Sequence, residues 1–197
     1  MKKLSNRKIA VTAIMSALSF ALMMLDFPVP MLIPSFIKFD FSELPALITA
    51  FAYGPGWGVL VCLIKNVLHL PMSSTQYVGE LSNFLMGAVF VFTAGLFYKI
   101  KRTRSFALIG ALVGNFAMAV ACFVVNYFVT YPIYMEILLP EAALMGMYQA
   151  ILPSVDSIAK AILIFNVPFT FVKGLASVLI TFLVYRKLSP LLKGKKL

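Results

Sequence analysis

The sequence predicts an all-α fold: an integral membrane six-helix bundle with a proline-rich lid loop on its extracellular side. Three observations lead there. First, 61% of the 197 residues are hydrophobic and only 12% are charged, with a mean hydropathy of +0.95, whereas a soluble domain carries about a quarter charged residues. Second, the apolar runs, FALIGALVGNFAMAVACFVV among them, lack the two-residue alternation of a membrane β-barrel. In lipid, helices are the other way to satisfy the backbone. Third, 13 of the 17 basic residues fall into three short groups at the ends of apolar runs, where the positive-inside rule puts cytoplasmic loops.

Taken in order, the spans are residues 9–25, 41–53, 55–70, 78–98, 106–130 and 158–185, one transmembrane domain over residues 1–197. Lys2, Lys3, Arg7 and Lys8 precede the first span. It reads as a retained helix rather than a signal peptide, because no small-residue cleavage site follows and five spans do. The capping-box spacing Asp40-Phe-Ser-Glu43 starts the second. The turn GPGWG, with Pro55 suited to a first helical position, opens the third. These two reach only ~20 and ~24 Å against a hydrocarbon core of ~30 Å. Lys99, Lys101, Arg102 and Arg104 join the fourth to the fifth, and Arg186, Lys187, Lys193, Lys195 and Lys196 follow the sixth. All three basic groups then share one face, with both termini in the cytoplasm. The acidic residues Asp26, Asp40, Glu43, Glu80, Glu136, Glu141 and Asp156 lie on or near the other. The net charge of +10 is thus a membrane topology rather than a nucleic-acid surface.

Catalytic chemistry finds no support. No phosphate loop is present. A single histidine, His69, stands at the end of the third span as an interfacial polar cap, so no metal site can be argued. Cys62 and Cys122 sit apart inside apolar helices. Three features remain. Ala13, Ala17 and Ala21 repeat every four residues on the first helix, a stripe suited to close helix approach, either within the bundle or to a partner. Asn166, Thr170, Lys173 and Ser177 share one face of the last helix, and Lys173 lies deep enough to demand a polar cavity or a ligand. Asn115, Cys122 and Asn126 make a matching set on the fifth. Lys65, by contrast, is placed to snorkel outward along its stem. The third feature is LDFPVPMLIPSFIKFDFSELPALITAFAYGP, residues 25–55. Its prolines keep the chain extended, and its aromatic and aliphatic residues need something to cover.

The blocks LDFPVP…FIKFDFSELPALITAFAYGPGWGVLVCLIKNVLH, VGELSNFLMG, VVNYFVTYPIY and NVPFTFVKG together resemble the riboflavin-binding S component of energy-coupling factor (ECF) vitamin transporters, nearly end to end. The resemblance implies a cell-membrane subunit, not an enzyme, that captures riboflavin from outside. It implies docking on a transmembrane T component driven by two ATP-binding cassette subunits, with riboflavin as cargo and no cofactor or metal. Under it, Ala13, Ala17 and Ala21 match the docking motif. Leu32, Phe36 and Phe39, with Asp40, close over the isoalloxazine ring. Asn126, Asn166, Thr170 and Lys173, with Asn83, supply hydrogen bonds. Thr170 stands where the family commonly has asparagine, and Glu80 where some relatives have a neutral amide. An S component for another vitamin (thiamine, folate or pantothenate) and a solitary membrane transporter remain the alternatives.

Overall fold

A computed structural model describes residues 6–193, with side chains to Val184. Lys2, Lys3, Lys195 and Lys196 lie outside the described residues, and Arg186, Lys187 and Lys193 where only the backbone is described. The chain is almost wholly helical: α1 (Asn6–Met24), α2 (Glu43–Tyr53), α3 (Pro55–His69), α4 (Val78–Ile100), α5 (Arg104–Val125), α6 (Tyr131–Ile137), α7 (Glu141–Gln149), α8 (Ile158–Ala161) and α9 (Val167–Lys193). Two five-residue π-helical turns, Asn126–Thr130 and Ile162–Asn166, join α5 to α6 and α8 to α9 without interrupting the rod. Among the described residues, four helices are long and apolar enough to cross a membrane: Asn6–Met24, Val78–Ile100, Arg104–Ile137 and Ile158–Val184. On α5, Phe116, Val120 and Val124 point outward, an apolar face that suits lipid and not water.

The short α2 is the centre of the molecule. It touches α1, α3, α4 and α9, and every residue from Glu43 to Phe51 is buried. A helix apolar all round must be enclosed on all sides, and ELPALITAF has that character. The chain reverses between α2 and α3 at Gly54, whose φ of 111° disfavours any side chain. Pro55 then begins α3 as expected.

The helices start and stop within a few residues of the expected bounds, except that the fifth rod runs on to Ile137 and α9 to Lys193. The cap of α2 differs from the predicted box. Asp40 Oδ1 accepts from the Ser42 backbone N–H (2.8 Å) and from the Ser42 hydroxyl, an Asx-type turn. Glu43 does not reach back, because its carboxylate is drawn inward to Lys65.

Residues 25–41 are likewise not extended throughout. Phe27–Pro28 pairs antiparallel with Lys38–Phe39, Phe27 opposite Phe39. Between them the chain turns twice, with Leu32 N–H donating to Val29 O and Ile37 N–H to Pro34 O. Pro30 occupies the second position of the first turn, where its fixed φ is favourable. Two cores result. One joins α1 to α5 and α9 around Leu47, Phe51, Val61 and Phe90. The other joins α6 to α8 around Tyr131, Leu144, Tyr148 and Phe165, and Ile33 of the loop is fully buried in it.

Candidate functional site

Where the two cores meet, a cavity of about 310 Å³ opens among the loop, α1, α2, α3, α4, the two π-turns and α9. This is the size at which small-molecule sites begin. The π-turns matter locally. An extra residue per turn rotates the helix face, as π-bulges at functional sites do, and Asn126, Thr130 and Asn166, the ends of the two turns, all reach the cavity.

Its wall is built from buried polar groups held by one another. Lys173, 12% exposed, donates to Asp40 Oδ2 at 2.7 Å. Burial alone raises the Asp40 carboxyl, but Lys173, then Lys65 and hydrogen bonds from Lys173 and Ser42, overcome it and hold the group at about 2. Asp40 is therefore an anion and Lys173 its counter-ion, with donors of the ammonium left for a ligand. Asn126 Nδ2 donates to Cys122 O (2.8 Å) and Cys122 Sγ (3.1 Å), and Thr170 bonds Cys122 Sγ at 3.3 Å. Asn166 closes a three-membered ring. Its Oδ1 accepts from the Tyr148 hydroxyl (2.7 Å), its Nδ2 donates to Tyr131 (2.8 Å), and the two phenols bond each other. Burial pushes the Tyr148 phenol up, so it remains a donor.

Of the predicted site residues, Lys173, Thr170, Asn126, Asn166, Asp40, Asn83 and Phe36 line this cavity; Leu32 and Phe39 do not. Leu32 is 66% exposed, because the turn at Val29 points Ile33 inward in its place. Phe39 stands one layer back, stacked on Phe27 (5.5 Å between ring centroids) and edge-on to Phe169 at 5.8 Å. Phe169 is the ring that reaches the cavity. It lies inside the quoted NVPFTFVKG block, one residue before Thr170, where the polar stripe is the stronger sequence signal.

Lys65 is the clearest correction. It does not snorkel: it is fully buried, 2.7 Å from Glu43 Oε1 and bonded to the Ser42 hydroxyl. A carboxylate already inside the bundle makes the inward position the better-solvated one. His69 is tied to Glu80, Nδ1 to Oε1 at 2.8 Å, and both face the cavity. Glu80, Tyr131 and Tyr134 also line it and were not predicted. Ala13, Ala17 and Ala21 are all exposed on the outside of α1, whose buried face is Thr12, Met15, Ser16, Ser19 and Met23. They form no seam inside the bundle.

Comparison with known proteins agrees with this architecture. A family model described as "ECF transporter, substrate-specific component" matches residues 7–185. The riboflavin transporter RibU of Staphylococcus aureus (strain TCH60) is 32% identical over 188 residues, covering 95% of this chain and 93% of the relative. The riboflavin transporter FmnP of Bacillus subtilis (strain 168) is 31% identical, covering 96% of each. A solved S component of a bacterial ECF transporter superposes with a TM-score of 0.75 at 31% identity, covering 95% of this chain and 98% of that one. The match is to a transporter component and not to an enzyme, and the several apolar helices make the chain a multi-pass membrane protein. The chain belongs to the family of substrate-specific components of ECF transporters.

Proposed function

We propose that the chain is the riboflavin-binding S component of an ECF vitamin uptake system, and that the cavity described above is the flavin site. The observation that carries it is the cavity's mixed lining. Phe36, Phe169 and Ile37 offer apolar faces to a flat ring, and Lys173, Asp40, Asn126, Thr170 and Asn166 converge on the same space. A tricyclic ring with a polar edge and a hydroxylated tail needs that combination of apolar walls with a few fixed donors and acceptors. The relatives that share 31–32% of its residues are named riboflavin transporters.

In this reading the bundle spans the membrane six times, with α2 and α3 as its two short, sunken members. Both termini and the basic 99–104 connection face the cytoplasm. Residues 26–40 form a lid over the outer mouth, pinned by Ile33 and latched by Asp40 on Lys173. Riboflavin enters from outside and the lid closes on it. The loaded subunit docks through Ala13, Ala17 and Ala21 on a T component, and two ATP-binding cassette subunits drive the reorientation that releases the vitamin inside. The small exposed side chains of that stripe let a partner helix approach closely. Thr170, already bonded to Cys122, has one hydroxyl where an asparagine has two donors and two acceptor sites. Asn166 and Asn126 supply the remaining amides.

The test is the absorbance spectrum of detergent-purified protein, together with the small molecules released on denaturation. Near-stoichiometric riboflavin supports the reading. A colourless protein that also fails to quench added riboflavin fluorescence would overturn it in favour of another vitamin on the same scaffold.

A further inference from the structure

The charges around the cavity do not balance. Four carboxylates line it, Asp26, Asp40, Glu43 and Glu80, against two lysines, Lys38 and Lys173. Each lysine is already engaged: Lys173 holds Asp40 at 2.7 Å and Lys38 holds Asp26 at 3.0 Å. Glu43 is matched from behind by Lys65 at 2.7 Å. Among the described residues, Glu80 has no lysine or arginine partner, and its ion-pair neighbour is His69. Glu80 is 5% exposed, and its oxygens are met by His69 Nδ1 (2.8 Å), the Ser73 hydroxyl (2.7 Å) and, more distantly, the Thr75 hydroxyl (3.5 Å). These groups donate hydrogen bonds, and only His69 can bring a compensating charge. A carboxylate offers about four lone-pair sites, so acceptor capacity remains on the cavity side.

From this arrangement we infer that Glu80 is a specificity-determining residue: it accepts hydrogen bonds from a neutral, hydroxyl-bearing ligand and rejects the phosphate monoester of the same ligand. A phosphate brings a charge of about −1.5 to −2 at neutral pH into a site whose cations are all engaged and whose wall carries a buried carboxylate. Like charges brought together in such a desolvated space are strongly unfavourable. A hydroxyl at the same place only donates. Even with His69 protonated and Lys65 counted, the surroundings carry no net positive charge to attract the phosphate. The inference rests on the flavin reading above, and names riboflavin over riboflavin 5′-phosphate as the choice the site makes.

The experiment is a pair of fluorescence-quenching titrations, with riboflavin and with its 5′-phosphate, on the same preparations of wild type, Glu80→Gln and Glu80→Ser. The readout is the ratio of the two dissociation constants, which the folded fraction of a preparation does not alter. Wild type is expected to favour riboflavin by roughly a hundredfold, and each neutral variant to shrink that ratio by about tenfold or more. The second variant keeps the test intact should the first not accumulate. Wild type binding riboflavin with a ratio near one, or a ratio unmoved in both variants, would overturn the role of Glu80 while leaving the flavin site standing. Wild type binding neither compound would overturn the flavin reading, and this inference with it.

Discussion

Replacing Lys65 with methionine is the sharpest test of how the fold is held together. The methionine fills similar volume, so the change isolates the charge. In the native protein Lys65 is fully buried and bonded to Glu43 and Ser42. Among the described residues, the other hydrogen-bond partner of Glu43 is the weakly donating Cys62 thiol at 3.6 Å, so Lys65→Met strands a carboxylate in the middle of the bundle. Asp40 also loses part of the field that holds it ionised. Removing one partner of a buried pair costs about 3–5 kcal/mol. For a chain of this length each kcal/mol moves the melting temperature by about 2–4 °C, so thermal unfolding in detergent should fall by about 10 °C. Replacing both partners, Lys65→Met with Glu43→Leu, removes the stranded charge, and apolar replacement of a whole pair is often neutral. The double variant should therefore melt above the single one. A single variant within about 2 °C of wild type, or a double variant no better than the single, would refute the view that this pair carries the α2–α3 hairpin.

Four further outcomes follow from the geometry. Lys173→Ala should weaken riboflavin binding by at least about tenfold, the scale of a charge-assisted hydrogen bond. It should also lower the melting temperature, since it strands Asp40; unchanged affinity in a fluorescence titration would remove Lys173 from the site. Asp40 is held at about 2 against its ordinary 3.8, so its ionised form is the one the fold favours. That contribution is complete above about pH 4 and is lost as the pH falls through about 2; an acid limb of the melting profile identical in wild type and Asp40→Asn would refute it. Ala17→Leu should leave riboflavin binding in detergent unaltered but abolish vitamin uptake in cells, and normal uptake would end the docking role of the stripe. At Gly174 a Cβ would collide with the Asn115 amide, so Gly174→Ala must displace that amide from its bond to Phe171 O or push α9 from α5, and lower both melting temperature and affinity; a variant melting like wild type would contradict that packing.

The sequence carried most of the frame because hydropathy and the placement of lysine and arginine are one-dimensional signals. It carried much of the cavity lining as well: Lys173, Thr170 and Asn166 share a face at helical spacing, and a buried lysine must face something polar. The loop was harder. Whether Leu32 or Ile33 points inward depends on the turn at Val29, and an extended reading gives the wrong parity. The π-turns at Asn126–Thr130 and Ile162–Asn166 leave no mark in composition. They arise from how neighbouring helices pack, and they decide which residues reach the cavity.

Lys65 is the instructive miss, because its signal was present in two pieces. Glu43 and Lys65 stand eleven residues to either side of Gly54. If that glycine is the point at which α2 and α3 reverse, an antiparallel hairpin of equal arms brings the two charges level. Treated singly, a lysine one turn below a helix end looks able to snorkel, which is the cheaper course in lipid. Treated as members of a hairpin, the two charges meet inside and neither needs water. From there the pairing extends to the cavity, since the Ser42 hydroxyl that Lys65 contacts also donates to Asp40, and Asp40 holds Lys173. The cavity-facing lysine is therefore oriented by a chain of groups that begins at the hairpin, and the stability of α2 and α3 and the geometry of the cavity are set by the same charges.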